Sequence, residues 1–88
     1  MNENNQKPIK TFSTAGLKLS VWKNVIKKNE AESYISYSIK IQKTYLNEDN
    51  EWKTTESYNS KDLLMIAQLC EIAFNWIEVK KSELKEND

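Results

Sequence analysis

The apolar pattern of this chain changes period once, at Asn59, and that change limits the fold more than any other feature. Before it, apolar and polar residues alternate as in strands; after it, apolar residues recur at helical spacing. Residues 17–27 (LKLSVWKNVIK) put Leu17, Leu19, Val21 and Val25 on one face and Lys18, Ser20, Trp22 and Asn24 on the other. Residues 33–46 give the longest alternation, with Ile35, Tyr37, Ile39, Ile41 and Tyr45 facing one way and Tyr34, Ser36, Ser38, Lys40, Gln42 and Thr44 the other. Residues 51–58 (EWKTTESY), rich in Thr and aromatics, read as a third strand. A short run over Ile9 to Ser13, ended by Ala15-Gly16, is a further strand candidate. Polar segments at 28–32 and 47–50 supply the turns.

Asn59 or Ser60 is a natural helix N-cap, and Asp62 falls in the first turn, where a negative charge suits the helix dipole. The helix runs from Leu63 to Val79 and closes on Lys80 and Lys81. Its polar positions, Lys61, Gln68, Glu71, Asn75 and Glu78, form one narrow stripe, which leaves an apolar arc of roughly 240°. A helix lying on a sheet needs an apolar stripe of only a little over about 100°. The surplus predicts a second copy of the chain against the helix, and Phe74, Trp76 and Ile77 on the arc are assigned to that dimer interface. The expected fold is α+β: an antiparallel three- or four-stranded sheet followed by one long C-terminal helix packed on one sheet face (ββββα), forming a dimer. One domain is expected over residues 8–81, with polar, disordered tails at 1–7 and 82–88.

Turn length decides which strand faces coincide. An odd loop after residue 27 keeps Leu17, Leu19 and Val21 with Ile39 and Ile41, and it leaves Trp22 on the polar side. A two- or four-residue turn at 47–50 would pair odd positions with even ones. That register predicts Trp52 and Tyr58 on the core face under Ile66, Leu69 and Ala73, and Lys53, Thr55 and Ser57 on the polar face.

Composition removes most enzymes. The 88 residues hold no His, no Arg, one Cys, one Gly and one Pro. The Ser-His-Asp and Cys-His nucleophile arrangements, multi-Cys zinc sites, phosphate-cradling glycine loops and arginine fingers are all excluded. Asn47, Asp49 and Glu51 superficially suggest a calcium loop, but the position that requires Gly would fall at Trp52. Cys70 has no His to activate it and reads as an inert small hydrophobe. No catalytic residue, metal site or cofactor is expected. No run approaches the roughly 20 apolar residues that span a bilayer, and the first residues, MNENNQ, lack a signal-like pattern. With one unpaired Cys, the expected location is cytoplasmic.

The zero net charge conceals an asymmetry. Residues 7–45 carry eight lysines against two glutamates, a net of +6, while residues 46–88 carry five lysines against ten acids, a net of −5. The polar sheet face combines Lys18, Trp22, Asn24, Tyr34, Lys40 and Lys53 with Ser and Thr. Such a face suits single-stranded nucleic acid: rings stack on bases, ammonium groups neutralise phosphates, and hydroxyls and amides bond the backbone. A solvated outer sheet face also carries Ser, Thr and Lys as a matter of routine. A Trp there beside Lys is less routine.

The order of three or four strands and one long C-terminal helix resembles the ββββα unit of the PUR, Whirly and transcriptional positive-cofactor single-strand-binding families. Ser20-Val21-Trp22-Lys23-Asn24, Tyr45, Glu51-Trp52-Lys53-Thr54-Thr55, Ser57-Tyr58 and Asp62-Leu63 are also similar to a group of small prokaryotic proteins of uncharacterised function. The first resemblance implies a dimer built through the helices whose outer sheet faces bind single-stranded DNA or RNA. It departs from this chain in that the chain has no Arg and no net positive charge. The leading expectation is a non-enzymatic, homodimeric single-stranded nucleic acid binding module. The alternative is a small protein-interaction factor, an inhibitor or adaptor, that binds no nucleic acid.

Overall fold

The computed structural model describes residues 7–86. Four strands, β1 (Lys10–Thr14), β2 (Leu17–Lys27), β3 (Ser33–Leu46) and β4 (Trp52–Thr55), precede one α-helix, α1 (Leu63–Glu86). They form a single antiparallel sheet in the order β1-β2-β3-β4, each strand hydrogen-bonded to its sequence neighbour. The α+β class and the ββββα order expected from the period change are therefore present, with four strands.

Each hairpin owes its register to its turn. Ala15 and Gly16 both have positive φ, 49° and 80°, which gives a two-residue turn whose twist matches the flanking strands. The Gly16 carbonyl also accepts the Thr44 N–H at 2.9 Å, and a side chain at Gly16 would crowd the Thr44 carbonyl at 3.2 Å. In the five-residue loop 28–32, the Asn29 carboxamide accepts the N–H groups of Ala31 and Glu32 at 2.8 and 2.9 Å. The loop is odd in length, so Leu17, Leu19 and Val21 share the face of Lys43, Ile41 and Ile39.

The last hairpin corrects the expected register. Asn47 and Glu51 close it, with the Asn47 N–H donating to the Glu51 carbonyl at 2.9 Å, and only residues 48–50 lie outside the pair. The Asn47 side chain accepts from Asp49 and Glu51, and Asn50 adopts φ 62°. This is a three-residue loop ending in a left-handed residue, a geometry that Asn tolerates. Leu46 therefore pairs with Trp52 and Tyr45 with Lys53. Trp52 lies on the outer face at 70% exposure, not in the core, and Lys53 lies on the helix side, not on the polar face. Tyr58 does reach the core, but from the segment after β4, where its hydroxyl donates to the Ile41 carbonyl.

The core is small: Leu17, Leu19 and Val21 of β2 meet Leu69 and Ala73 of α1, with Phe12, Tyr37, Ile41, Tyr58, Ile66, Trp76 and Ile77 packed around them. Two of the three helix residues assigned to a dimer contact thus have work within the chain. Trp76 packs edge-on against Phe12, 6.3 Å between ring centroids, with the Lys80 ammonium 5.4 Å from its centroid, and Ile77 joins the core rim. Phe74 alone of the three is mostly exposed.

The helix start is anchored to the sheet. Asn59 caps a single 3-10 turn, Ser60–Asp62, that leads into α1. The Asp62 carboxylate accepts the Asn59 N–H and the Lys43 ammonium, both at 2.9 Å. The Lys43 hydrogen bond, then the Asn59 N–H, hold its carboxyl below the ordinary carboxylate range. Burial first, then Glu56 and Asp62 nearby, push the Tyr58 phenol up. At the other end, α1 continues through residues 82–86 and so overruns the expected boundary at 81. Strong helix formers with no Gly or Pro extend it, and Lys80–Glu83 and Lys81–Glu78 pairs at 3.4 Å support its last turns. Residues 1–6, 87 and 88 of the expected tails lie outside the described residues.

Candidate nucleic-acid interface

Because side chains alternate across a strand, the observed register sorts every strand residue onto one of two faces. The outer face, away from α1, receives Thr11 and Ser13 from β1 and Lys18, Ser20, Trp22, Asn24 and Ile26 from β2. From β3 and β4 it receives Tyr34, Ser36, Ser38, Lys40, Gln42, Thr44, Leu46, Trp52 and Thr54. Five of the six residues chosen from the sequence, Lys18, Trp22, Asn24, Tyr34 and Lys40, therefore share this face. Lys53 does not: it sits on the opposite side, 3.6 Å from the Glu51 carboxylate.

Trp22 stands in the row of Ser38 and Tyr34 in the row of Ile26, four residues earlier in β3, a spacing of about 13 Å. Trp22 is half-buried and Tyr34 exposed. Asn24 donates to the Ser38 hydroxyl at 2.7 Å, which fixes the carboxamide between the two rings. Lys18 and Lys40 are exposed, and Lys40 lies 3.8 Å from the equally exposed Glu56. A solvent-facing pair at that separation is worth little and does not withdraw the ammonium from a phosphate. Ser20, between these lysines, is buried by its neighbours and gives the face a flat floor.

The outer face is graded along its length. Towards the 28–32 loop it carries Trp22, Tyr34 and Ile26; towards the 47–51 loop it carries Leu46 and Trp52, next to the exposed loop acids Glu48 and Asp49. The Leu46–Trp52 pair is a surface feature that alternation alone misassigned. Its signal was the second Asn of the loop, since Asn50 is suited to the left-handed position that adds a third loop residue. Among the described residues no cluster of three His, Cys, Asp or Glu side chains is placed to hold a metal ion, and no helix is long and apolar enough to cross a membrane. No family model matches the chain, and no curated protein or solved structure matches it.

Proposed function

We propose that this protein is a non-enzymatic module that binds single-stranded DNA or RNA on the outer face of its sheet and acts as a homodimer. The observation that carries the reading is the convergence of Trp22, Tyr34, Lys18 and Lys40 on one solvent-facing side. Trp22 and Tyr34 stack on bases, the two ammonium groups contact phosphates, and Ser36, Ser38 and Thr44 donate to the backbone. With no Arg in the chain, bidentate guanine readout has no donor, and binding is weak in sequence preference. The strand order and helix fit the resemblance to the PUR, Whirly and transcriptional positive-cofactor families. The lone thiol Cys70 fits a reducing cytoplasm.

Fluorescence anisotropy of a labelled oligonucleotide at low salt tests the reading. Binding that is weakened by Trp22→Ala supports it; no binding at tens of micromolar protein removes it. A second reading, docking on another protein, is favoured by one observation: Trp52, 70% exposed, pairs with exposed Leu46 next to the loop acids Glu48 and Asp49. An exposed Trp rimmed by charge has the composition of a protein-interface hot spot. Retention of a basic protein partner that is lost on Trp52→Ala, without oligonucleotide binding, would select it.

A further inference from the structure

The inner face of the sheet extends further than α1 covers it. β2 and β3 pair over eleven residues of β2, about 36 Å of ribbon, while a helix is only about 10 Å across. The helix touches β2 at Leu17, Leu19 and Val21. Beyond the row Lys23–Tyr37, whose Tyr37 still packs against the core, the rows Val25–Ile35 and Lys27–Ser33 project as a two-stranded arm. Val25 is 64% exposed and Ile39 47%, and a two-stranded ribbon with an open apolar face is marginal in isolation. The flank of α1 that looks onto this arm is apolar as well. Cys70, Phe74 and Ile77 line a groove of about 170 Å³ with Ile39, over Leu19 and Ala73. Phe74 is 61% exposed. Arm and helix flank form an open apolar corner.

Resting on the homodimer of the proposed function, we infer that helix α1 of a second copy fills this corner, with Lys23 and Lys27 of each arm against Glu71 and Glu78 of the partner's helix. Charge identifies the occupant. Glu71 and Glu78 are three residues before and four after Phe74, so they border it on the helix surface. Lys23 and Lys27 border Val25 on the inner face of the arm. The helix surface is apolar with one acidic edge, the arm apolar with basic edges. Within one chain they do not pair: among the described residues Lys23, Lys27 and Glu71 make no ion pair, and Glu78 reaches only Lys81. A two-fold axis near Phe74 satisfies both at once, because each arm then meets the other copy's helix in a closed, isologous contact.

Sedimentation equilibrium without any oligonucleotide, at tens of micromolar protein in low and high salt, tests this apart from nucleic acid binding. A dimer that weakens as salt rises is expected. Phe74→Glu, at an exposed position whose fold is checked by circular dichroism, should raise the dissociation constant about tenfold or more, and Val25→Glu serves should that variant misfold. Lys23→Glu with Lys27→Glu should weaken the dimer, and adding Glu71→Lys with Glu78→Lys should restore it. A monomer throughout, a dimer indifferent to Phe74→Glu or Val25→Glu, or a charge reversal that the opposite reversal does not rescue would each overturn the inference. In any of those cases oligonucleotide binding by the outer face would stand or fall on its own assay.

Discussion

Removing lysines one at a time and reading the salt dependence of oligonucleotide binding separates the outer face from its surroundings. Each phosphate contact with a single strand contributes about −0.7 to the slope of log K against log salt. The sequence alone puts three lysines on the platform, whereas the register leaves two there, Lys18 and Lys40, and turns Lys53 to the helix side. The slope expected for one face is therefore about −1.4. Lys18→Ala and Lys40→Ala should each bring it nearer zero by about 0.7, while Lys53→Ala should leave it unchanged. Trp22→Ala acts on a different quantity. Loss of one stacking ring costs about 1–3 kcal/mol, or roughly 5- to 150-fold in affinity, with no change in slope. Half-burial of Trp22 limits the ring area available and points to the lower part of that range. Anisotropy titrations at four or five salt concentrations give both numbers, with thermal unfolding of each variant as the control for folding. A slope altered by Lys53→Ala as much as by Lys18→Ala, or an affinity untouched by Trp22→Ala, would refute the assignment of the outer face.

Leu19 is 1% exposed at the centre of a small core, so Leu19→Ala should cost about 2–5 kcal/mol, read as the midpoint shift in urea unfolding. Ala15 holds φ 49°, which carries a steric cost of about 1–2 kcal/mol for a residue with a Cβ; Ala15→Asn should raise the midpoint, and Ala15→Val should lower it. Asp62 has its carboxyl held below the ordinary 3.8 by Lys43 and the Asn59 N–H, so the folded state binds fewer protons than the unfolded one near that pH. The stability from this contact is fully present above the ordinary value and is lost as the pH falls through the folded one; Asp62→Asn should flatten that acid limb of the stability curve, measured by unfolding between neutral pH and acid.

Alternation and helical period, which depend only on side-chain type, located the long strands and the helix because β2, β3 and α1 each repeat apolar residues at the period of their element. The same logic kept Trp22 off the core: the Leu17, Leu19, Val21 set buries more apolar surface than an even loop would allow, and the Asn29 turn is odd. It failed at residues 47–51, where two patterns competed. Burying Trp52 beside Tyr45 looked favourable by composition. Asn47 instead gathers two N–H groups while Asn50 takes the left-handed position, and one additional loop residue turns every side chain of β4 over. Such a choice is made by local backbone hydrogen bonds, to which hydrophobic periodicity is blind.

The helix arc shows the converse, a sequence feature whose meaning needed the sheet. An apolar arc far wider than one sheet face requires is visible in the chain, but its two sides have different fates. Trp76 and Ile77 are taken up by Phe12 and the β2 core, because α1 lies over β1 and β2. Phe74 and Cys70 look out over β3 and stay open. The split follows from where the helix is tied down. Asp62 on Lys43 and Tyr58 on Ile41 fix its first turn beside β3, while Trp76 fixes its later turns on β1. An oblique helix leaves the β2–β3 arm bare. Its anchors therefore decide which part of the excess apolar surface is core and which is left open.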